Sequence, residues 1–547
     1  RKISPIEWNK HYENLNEVSF IEDKDEEIPK AIFKIPNKIK QATTFFIRDF
    51  KSKLTNTQYM IITLFEAPLL AGILAFFMKY IGVNILNENN YTLYNSENLP
   101  QYLFISVIVA LFIGLTTSAE EIIGNLKILK REQFLNLSKG SYLFSKITLL
   151  FLISLIQTLF YVIAGNLILE IHGMNLAYWM ILFSVSCFAN LLGLNISASF
   201  NSVKVIYILI PVCIIPQLLF SGIIVSFDKL NPLFSSKSHV PLIGNVMASR
   251  WAFEALAVCQ FKDNDYEVVF YEYDKKMSFA NWKKDQWVSN VQTKLKDVNR
   301  YISNQNTPNI TNDEHKKMII IQQLEIIKHE IQKEIRHNHS INYAGLHALK
   351  IQINLLNINN FNSSIYNSIT EYLAICKEKY KEIYKINERK RDNAQQAFFK
   401  PNAQFIKQLD NQKELGIINS KEHRQLKRLM TKLKDENFKD FRNKYKNKAL
   451  EDFATNSNTL NFTDEDGYSI IQKTDPIYLD PYDFNYFKAH FYSPSKKVFG
   501  YYIDTYYANL IVIWLMTTLL TFTLYFDLLK WGLDNLSKIT SLVKLKK

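Results

Sequence analysis

Much that would mark a familiar class of soluble protein is missing from this chain. It has four cysteines in 547 residues, and they make no framework. Cys187 and Cys213 lie inside apolar runs, whereas Cys259 and Cys376 could pair only if the fold brings them together, so independent thiols are expected. No Gly-x-x-x-x-Gly-Lys-Ser/Thr run occurs. Without that phosphate-cradling loop any ATP chemistry must be supplied from elsewhere, and Lys139–Ser141 is a fragment of nothing larger. No nucleophile–base pattern is recognisable, and no catalytic residue is assigned. His337-Asn-His339 has no cysteine or carboxylate partner at a known ligand spacing, so no metal site is assigned either. The chain starts at Arg1 rather than Met and has no cleavable signal pattern, which leads to the expectation that its beginning lies upstream.

What it has in abundance is apolar sequence. A mean hydropathy of -0.10 averages two unlike materials. Uncharged or nearly uncharged runs at Met60–Met78, Tyr102–Ala119, Ile147–Leu169, Leu176–Phe200, Val205–Phe227 and Tyr507–Phe526 are each long enough to cross about 30 Å of hydrocarbon. The expected fold class is therefore a mainly α membrane protein with six spans. Only the first span carries an acid, Glu66. A carboxylate there is expected to face the bundle interior, either as a proton-coupling group or as a buried hydrogen-bonding one. Pro211 and Pro216 both interrupt the hydrogen-bond ladder of span 5, which marks a kinked helix that could bend.

Lysine and arginine in the short loops set the orientation. The loop from Val83 to Gln101 and the turn Glu170–Asn175 have none. The loop after span 2 holds Lys127, Lys130, Arg131, Lys139 and Lys146; Lys204 follows span 4; Lys530, Lys538, Lys544, Lys546 and Lys547 follow span 6. Both termini are thus expected in the cytoplasm of a multi-pass inner (plasma) membrane protein, and the polar stretch after span 5 on the periplasmic or extracellular side. Tyr501, Tyr502, Tyr506 and Tyr507 at one end of span 6, and Trp531 at the other, suit the two interfaces. The net charge is +13. Between Lys262 and Gly500 there are 39 Lys/Arg and 31 Asp/Glu, a surplus of +8. The two signs interleave as on a solvated helical surface, so no nucleic-acid partner is expected.

The chain divides accordingly. Residues 1–37 read as a cytoplasmic linker with an acidic cluster at Glu22–Glu27. Residues 38–58 form an amphipathic helix, with Ile39, Phe45, Phe46, Phe50 and Leu54 alternating with Lys40, Arg48, Asp49, Lys51 and Lys53. Residues 59–260 hold spans 1–5, including a proline-free helix–turn–helix at Glu120–Gly140. They also include an amphipathic stretch, Leu242–Val258, that is too polar to span and is expected to be re-entrant or interfacial. Residues 261–500 are the insert, 501–530 the sixth span, and 531–547 a basic tail. In the insert, Met318–Ile335 places Ile319, Ile320, Leu324, Ile327, Ile331 and Ile335 at helical spacing. Ser364–Gln396 and Ser420–Phe453 follow less cleanly, and Ala454–Pro494 reads as loops with short strands. Long helices packed as hairpins are expected.

Two stretches resemble a known family. Ser118-Ala-Glu120, Arg131-Glu132 and Ser138-Lys-Gly-Ser-Tyr142 followed by Ser145-Lys146 resemble the second-to-third-span region of G-type (White and pleiotropic-drug-resistance) ABC exporters. Phe220-Ser-Gly-Ile-Ile-Val225 and Met247-Ala-Ser-Arg-Trp-Ala-Phe-Glu-Ala-Leu256 resemble the end of their fifth span and the re-entrant helix beyond it. The likeness covers roughly 40–260 and 500–530. It implies a six-span type-2 permease bundle with a large, mostly helical extracytoplasmic domain attached. Lys40–Lys53 would be the connecting helix. Arg131–Gly140, with Ser138, would be the coupling helix that takes motion from an ATPase domain, and Glu120 and Glu132 would brace that junction. The family's aromatic cavity clamp falls on Ile113, with Phe112 the nearest aromatic, and its polar cavity residue on Ala110; both are departures. Ile223 and Ile224 fall at the apolar plug. The family's outer loop is usually short, so the insert is the larger departure.

The resemblance further implies ATP-driven export of a hydrophobic or amphipathic substrate by alternating access, through a cavity near Phe112 and Ile113 closed at Ile223 and Ile224. The implied partners are a second copy of the chain or a related half-transporter, a nucleotide-binding domain carrying ATP and Mg, membrane lipids, and a periplasmic protein for the insert. No cofactor is expected in the chain itself. The alternative is mechanotransmission: span movement works the insert on periplasmic partners, and nothing crosses the bilayer.

Overall fold

The computed structural model describes residues 4–15, 36–81, 91–132, 137–231, 233–304, 314–337, 345–397, 407–408, 410–414, 423–424, 437–481 and 489–545. These are mainly helical. After a short α1 (Pro5–Leu15), α2 (Lys38–Thr55) leads into α3 (Thr57–Met78), with the Asn56 side chain accepting from the Tyr59 amide between them. α4 (Leu99–Ala119), α5 (Leu126–Glu132), α6 (Lys139–Ile168), α7 (Asn175–Ser199) and α8 (Val203–Leu219) follow. The last long apolar helix, here α17 (Thr505–Tyr525), precedes α18 (Leu528–Leu545). Among the described residues, five helices are long and apolar enough to cross a membrane: α3, α4 with its extension, α6, α7 and α17. The fifth run is a correction to the sequence reading. Its helix α8 stops at Leu219 after 17 residues, about 25 Å of rise against roughly 30 Å of hydrocarbon. Phe220–Ser226 turn instead, because Gly222 adopts a φ of +87° that side chains rarely tolerate.

Without a hydrophobic effect between helices in lipid, close approach and buried polar bonds must hold such a bundle. Both are present. Ala67, Ala71 and Ala75 form a fully buried stripe on α3, the helix that packs along α6. At the α4–α7 contact, a Cβ on Gly114 would stand 2.6 Å from the Ser186 carbonyl oxygen, so only glycine permits that approach. Asn190 Nδ2 and Ser186 Oγ both donate to Ser154 Oγ, at 2.8 and 2.9 Å, and tie α7 to α6. Asn195 Nδ2 donates to the Leu520 carbonyl at 2.9 Å and ties α7 to α17.

The stretch read as amphipathic at Leu242–Val258 is also corrected. It is two helices, α9 (Leu242–Asn245) and α10 (Ala248–Lys262), and every residue of α10 from Ala248 to Phe261 is buried. Its charges are buried with the rest because they find partners inside, as described below. From α10 the chain enters the insert. α11 (Glu267–Trp282), a π-helical turn at Lys283–Trp287 and α12 (Val288–Asn304) make one continuous rod. α13 (Glu314–His337) pairs with α12, α14 (Leu346–Asn354) bridges, and α15 (Ser363–Ala397) lies along α11. Trp287, Leu295, Ile327, Ile331, Ile369 and Tyr372 belong to a second apolar core, separate from that of the bundle. α16 (Lys448–Thr455), the hairpin β1 (Thr463–Asp466)–β2 (Ser469–Gln472) and the hairpin β3 (Ser495–Val498)–β4 (Tyr501–Asp504) return the chain to α17. Much of Ser420–Phe453, and His339 of the histidine pair, lie outside the described residues. Cys259 and Cys376 are free thiols in the two different cores.

Candidate functional site

The first station is built where α2 meets the start of α6. Pro36 and Asn37 set the beginning of α2, and its polar residue Gln41 turns inward rather than outward. Its Nε2 donates to the Pro36 carbonyl at 3.0 Å and its Oε1 accepts from the Ser138 amide at 2.9 Å. Ser138 in turn caps α6 by accepting from the Ser141 amide, while Ser141 Oγ donates to the Lys38 carbonyl at 2.8 Å. The two helix starts are stitched together, and Phe45 meets Tyr142 edge-on above the stitch.

One turn further on lies a buried four-charge chain. Lys146 Nζ stands 2.8 Å from Asp49 Oδ2 and 2.9 Å from Glu121 Oε2. Lys53 pairs with the other Glu121 oxygen and donates to the Tyr59 hydroxyl at 2.9 Å. Exposed Arg48 also reaches Asp49 Oδ1 with its Nε at 3.4 Å, so three bases meet two acids, and each of the shielded charges has an opposite partner, the condition under which charges survive burial. The chain joins α2, the turn after α4, and α6. The acid doing this is Glu121. Glu120, the residue expected to brace the junction, is exposed beside Tyr207 of α8. A lysine two turns inside an apolar helix demands a carboxylate, so Lys146 was the signal in the sequence, but only the helix register chooses Glu121 over Glu120. Arg131 is exposed on α5 and Gly140 lies against the Tyr525 ring. The Glu132 side chain and residues 133–136 of the expected coupling helix lie outside the described residues.

The expected pathway residues divide into two groups. Ala110 and Ile113 are buried in the bundle core with 4% and 2% exposure, whereas Phe112 is 41% exposed on α4. The neighbouring α8 shows Val205, Ile208, Val212, Ile215 and Leu219 to the outside. Their spacing of 3, 4, 3 and 4 residues makes one apolar stripe along the helix, and Pro211 is exposed alongside it. Pro216 and Ile223 are half-buried and Ile224 is exposed at the far end. Glu66 is half-buried on α3, and among the described residues no hydrogen bond or ion pair reaches it. Phe112, Pro211 and Ile224 are therefore open on this chain, and Ala110 and Ile113 are not.

The third station was not foreseen. Arg250 and Glu254, one turn apart on α10, approach to 3.3 Å. Lys496 of β3 reaches Glu254 Oε1 at 2.7 Å, and Asn509 Nδ2 of α17 donates to Glu254 Oε2 at 2.9 Å and to the Trp251 carbonyl at 3.0 Å. Arg250 also stacks on the Trp251 ring at 3.8 Å. All four polar residues are buried. Burial opposes the Glu254 charge, but Arg250 and then Lys496 hold its carboxyl below the ordinary range. Burial lowers the Lys496 pKa to about 8, with Glu254 opposing. One carboxylate between two cations makes the lysine the group that releases a proton. The start of α10 is tied to the end of α8, where the Ser249 amide donates to Gln217 Oε1 at 3.0 Å and Ser249 Oγ to the Gln217 carbonyl at 2.6 Å. The sequence signal was the Arg250–Glu254 pair at helical spacing, and the partner Lys496 lies 242 residues away from Glu254.

Comparison with known proteins gives one family. Residues 40–261 match the family described as ABC-2 type transporter, a stretch that begins within α2 and ends one residue before the end of α10. No curated protein matches the chain. Residues 40–261 are thus similar to an ABC-2 permease domain, and the five long apolar helices among the described residues make this a multi-pass, mainly helical membrane protein. Permease domains of this kind typically pair with a nucleotide-binding domain. The insert and α17 lie beyond the matched stretch.

Proposed function

We propose that this chain is the membrane half of an ATP-driven exporter of a hydrophobic or amphipathic substrate. It works as a dimer with a nucleotide-binding domain, in an inner membrane with the insert on the outer side. The observation that carries the reading is the four-charge chain Asp49–Lys146–Glu121–Lys53 inside the stretch matched to ABC-2 transporters. A lever that converts ATPase movement into span movement needs α2, the α4 turn and α6 to move as one piece, and the paired, largely shielded charges supply that rigidity without a large core.

The apolar stripe on α8 and the exposed Phe112 beside it form the face on which a second copy packs. A span of 17 residues is too short to sit alone against lipid of ordinary thickness, and pairing shelters its ends. Alternating access then consists of two copies rocking about this face, with Phe112, Pro211 and Ile224 on the substrate side. Glu132, Arg131, Ser138 and Gly140 sit where the ATPase would press. ATP and Mg are bound by that partner.

The test is reconstitution with the ATPase partner in vesicles. Outward movement of a fluorescent amphiphile that requires ATP, and that Phe112→Ala alters, supports export. ATP hydrolysis that drives changes in the insert while no substrate moves would instead establish the mechanical alternative.

A further inference from the structure

The β3–β4 hairpin is the last structure before α17, and it is bolted to the start of that helix. The Asp504 side chain caps α17 by accepting from the Tyr506 amide at 3.0 Å. The Thr505 amide donates to the Pro494 carbonyl at 3.1 Å, and Thr505 Oγ1 donates to the Ser493 carbonyl at 2.5 Å. The base rung of the hairpin, Ser495 opposite Asp504, is tied through Asp504 to Lys262 at the end of α10. The next rung toward the tip is Lys496 opposite Ile503. Lys496 is tied to Glu254, which lies roughly two turns, or about 12 Å, back along α10. Asn509, one turn inside α17, meets the same Glu254. From base to tip the hairpin therefore runs back toward the bundle beside the first turn of α17, and both strands touch that helix.

The tip departs from ordinary turn chemistry. Phe499 and Gly500 have φ of +49° and +89°, the pair of left-handed residues that makes a two-residue hairpin turn of the kind Asn-Gly fills without strain. Phenylalanine is a poor choice for that conformation. Internal packing does not offset the strain, because Phe499 is 95% exposed. Tyr501, Tyr502 and, in the first turn of α17, Tyr507 are exposed as well, and Lys497 Nζ stands over the Tyr502 ring at 5.1 Å. The tyrosines combine an apolar body with a polar end, the type of side chain that gathers where a span leaves the hydrocarbon.

We propose that the β3–β4 hairpin anchors the insert to the membrane, with Phe499, Tyr501 and Tyr502 lying among the lipid head groups on the insert's side of the bilayer that α17 crosses. Two observations favour lipid over protein as the cover of this face. β4 leads directly into α17, so the tip is no farther from the start of a span than its own strand, about 13 Å for four residues. α17 packs most closely on α7 and α10, and α8 on α4, which puts the hairpin away from the α8 stripe where a second copy would pack. An anchored tip fixes the base of the insert to the bilayer surface through the Lys496–Glu254 contact. The proposal needs α17 to span a membrane and does not depend on export.

The test uses the full chain in lipid nanodiscs, with Phe499→Trp as the probe and its added fluorescence read as the difference from wild type. Phosphatidylcholine brominated near the head-group end of its acyl chains quenches from the lipid side, and acrylamide quenches from the water side. Tyr468→Trp is the control, at the turn of the β1–β2 hairpin where the native ring is also exposed. The Phe499→Trp emission should lose most of its intensity in brominated lipid and little to acrylamide, and the Tyr468→Trp emission should do the opposite. Tyr501→Trp reads the same tip if substitution of Phe499 disturbs the turn. Loss to acrylamide with none to brominated lipid would leave the tip in water and overturn the proposal. Protection from both quenchers would put the tip against protein and overturn it as well; discs holding a single copy would then tell a second copy from another part of the same chain. Equal quenching by brominated lipid at Tyr468→Trp would overturn it too, because the insert as a whole would then lie on the membrane. None of these readings involves ATP, so the export reading can fail while the anchor stands.

Discussion

The buried knot on α10 allows the sharpest test of how this protein is held together. Glu254, Arg250 and Lys496 are almost completely shielded from water, and the site carries one more positive charge than negative. Removing Glu254 as Glu254→Gln leaves two buried cations with nothing to balance them, and breaking a buried pair this way costs about 3–5 kcal/mol. Replacing Lys496 by Met removes the surplus charge and leaves the Arg250–Glu254 pair intact. The lysine proton is held at about 8 instead of 10.5, a displacement that corresponds to a penalty of about 3 kcal/mol for keeping the group charged. Lys496→Met should therefore be neutral or stabilising, and the double variant should be less damaged than a sum of singles. pH gives an independent reading. Below pH 8 the lysine is protonated both folded and unfolded, and the penalty is present in full. Between about 8 and 10.5 the unfolded chain binds more protons, so stability from this group rises with pH. Heating the purified protein and scoring the fraction that stays monodisperse, at pH 7.5 and pH 9.5, reads both effects. The wild type should gain from alkalinity relative to Lys496→Met. A Glu254→Gln variant as stable as wild type, or a Lys496→Met variant less stable than Glu254→Gln, would refute the reasoning.

Three further outcomes are expected. Gly114→Ala should destabilise by about 1–3 kcal/mol, because its Cβ would press on the Ser186 backbone and force α4 from α7; Gly72→Ala, where the added atom meets open space, is the control in the same heating assay. Glu121→Gln should lower the melting point and uncouple ATP hydrolysis from substrate, whereas Glu120→Gln should leave the melting point unchanged; the reverse order would move the brace back to Glu120. Ile113→Ala should cost about 2–5 kcal/mol as a core truncation, while Phe112→Ala, on the exposed face, should leave stability within about 0.5 kcal/mol and change only substrate-stimulated ATPase activity.

How far the sequence could be read depended on whether a property was local. Span positions were legible because a 20-residue apolar run has one physical solution in a bilayer, and the ends of α3, α4, α7 and α17 fall within a few residues of the runs, while α6 starts eight residues earlier, at Lys139. The α13 and α15 helices were legible from the spacing of isoleucines and other apolar residues. The end of α8 was not, because Phe220–Phe227 remains as apolar as a span while Gly222 bends it. α10 was misread for the opposite reason: its arginine and glutamate look like a solvated face until Lys496 and Asn509 arrive from the far end of the chain. The same holds for Glu121. A charge pattern says that a partner is required, and only the tertiary register says which of two adjacent acids provides it.

That register has a consequence for how the insert and the bundle can move. The ends of the bundle nearest the insert converge on one block. α8 reaches it through Gln217 and Ser249, and α17 through Asn509 and Glu254. The loop before α4 reaches it through the Leu93 and Ser96 carbonyls, which accept from Asn447 at 2.6 and 2.7 Å. Asn447 is also the residue that caps α16, and its neighbour Lys446 pairs with buried Glu267 at the start of α11 at 3.0 Å. A displacement of α8 must therefore either break two hydrogen bonds in a water-poor interior or carry α10 with it. α10 in turn cannot shift against β3 without separating Lys496 from Glu254. Both breakages leave buried polar groups without partners, each costing more than the bond contributes when made. Movement that starts at the α2–α6 junction and reaches the C-terminal end of α8 is thus cheaper to pass into the insert than to absorb at its base.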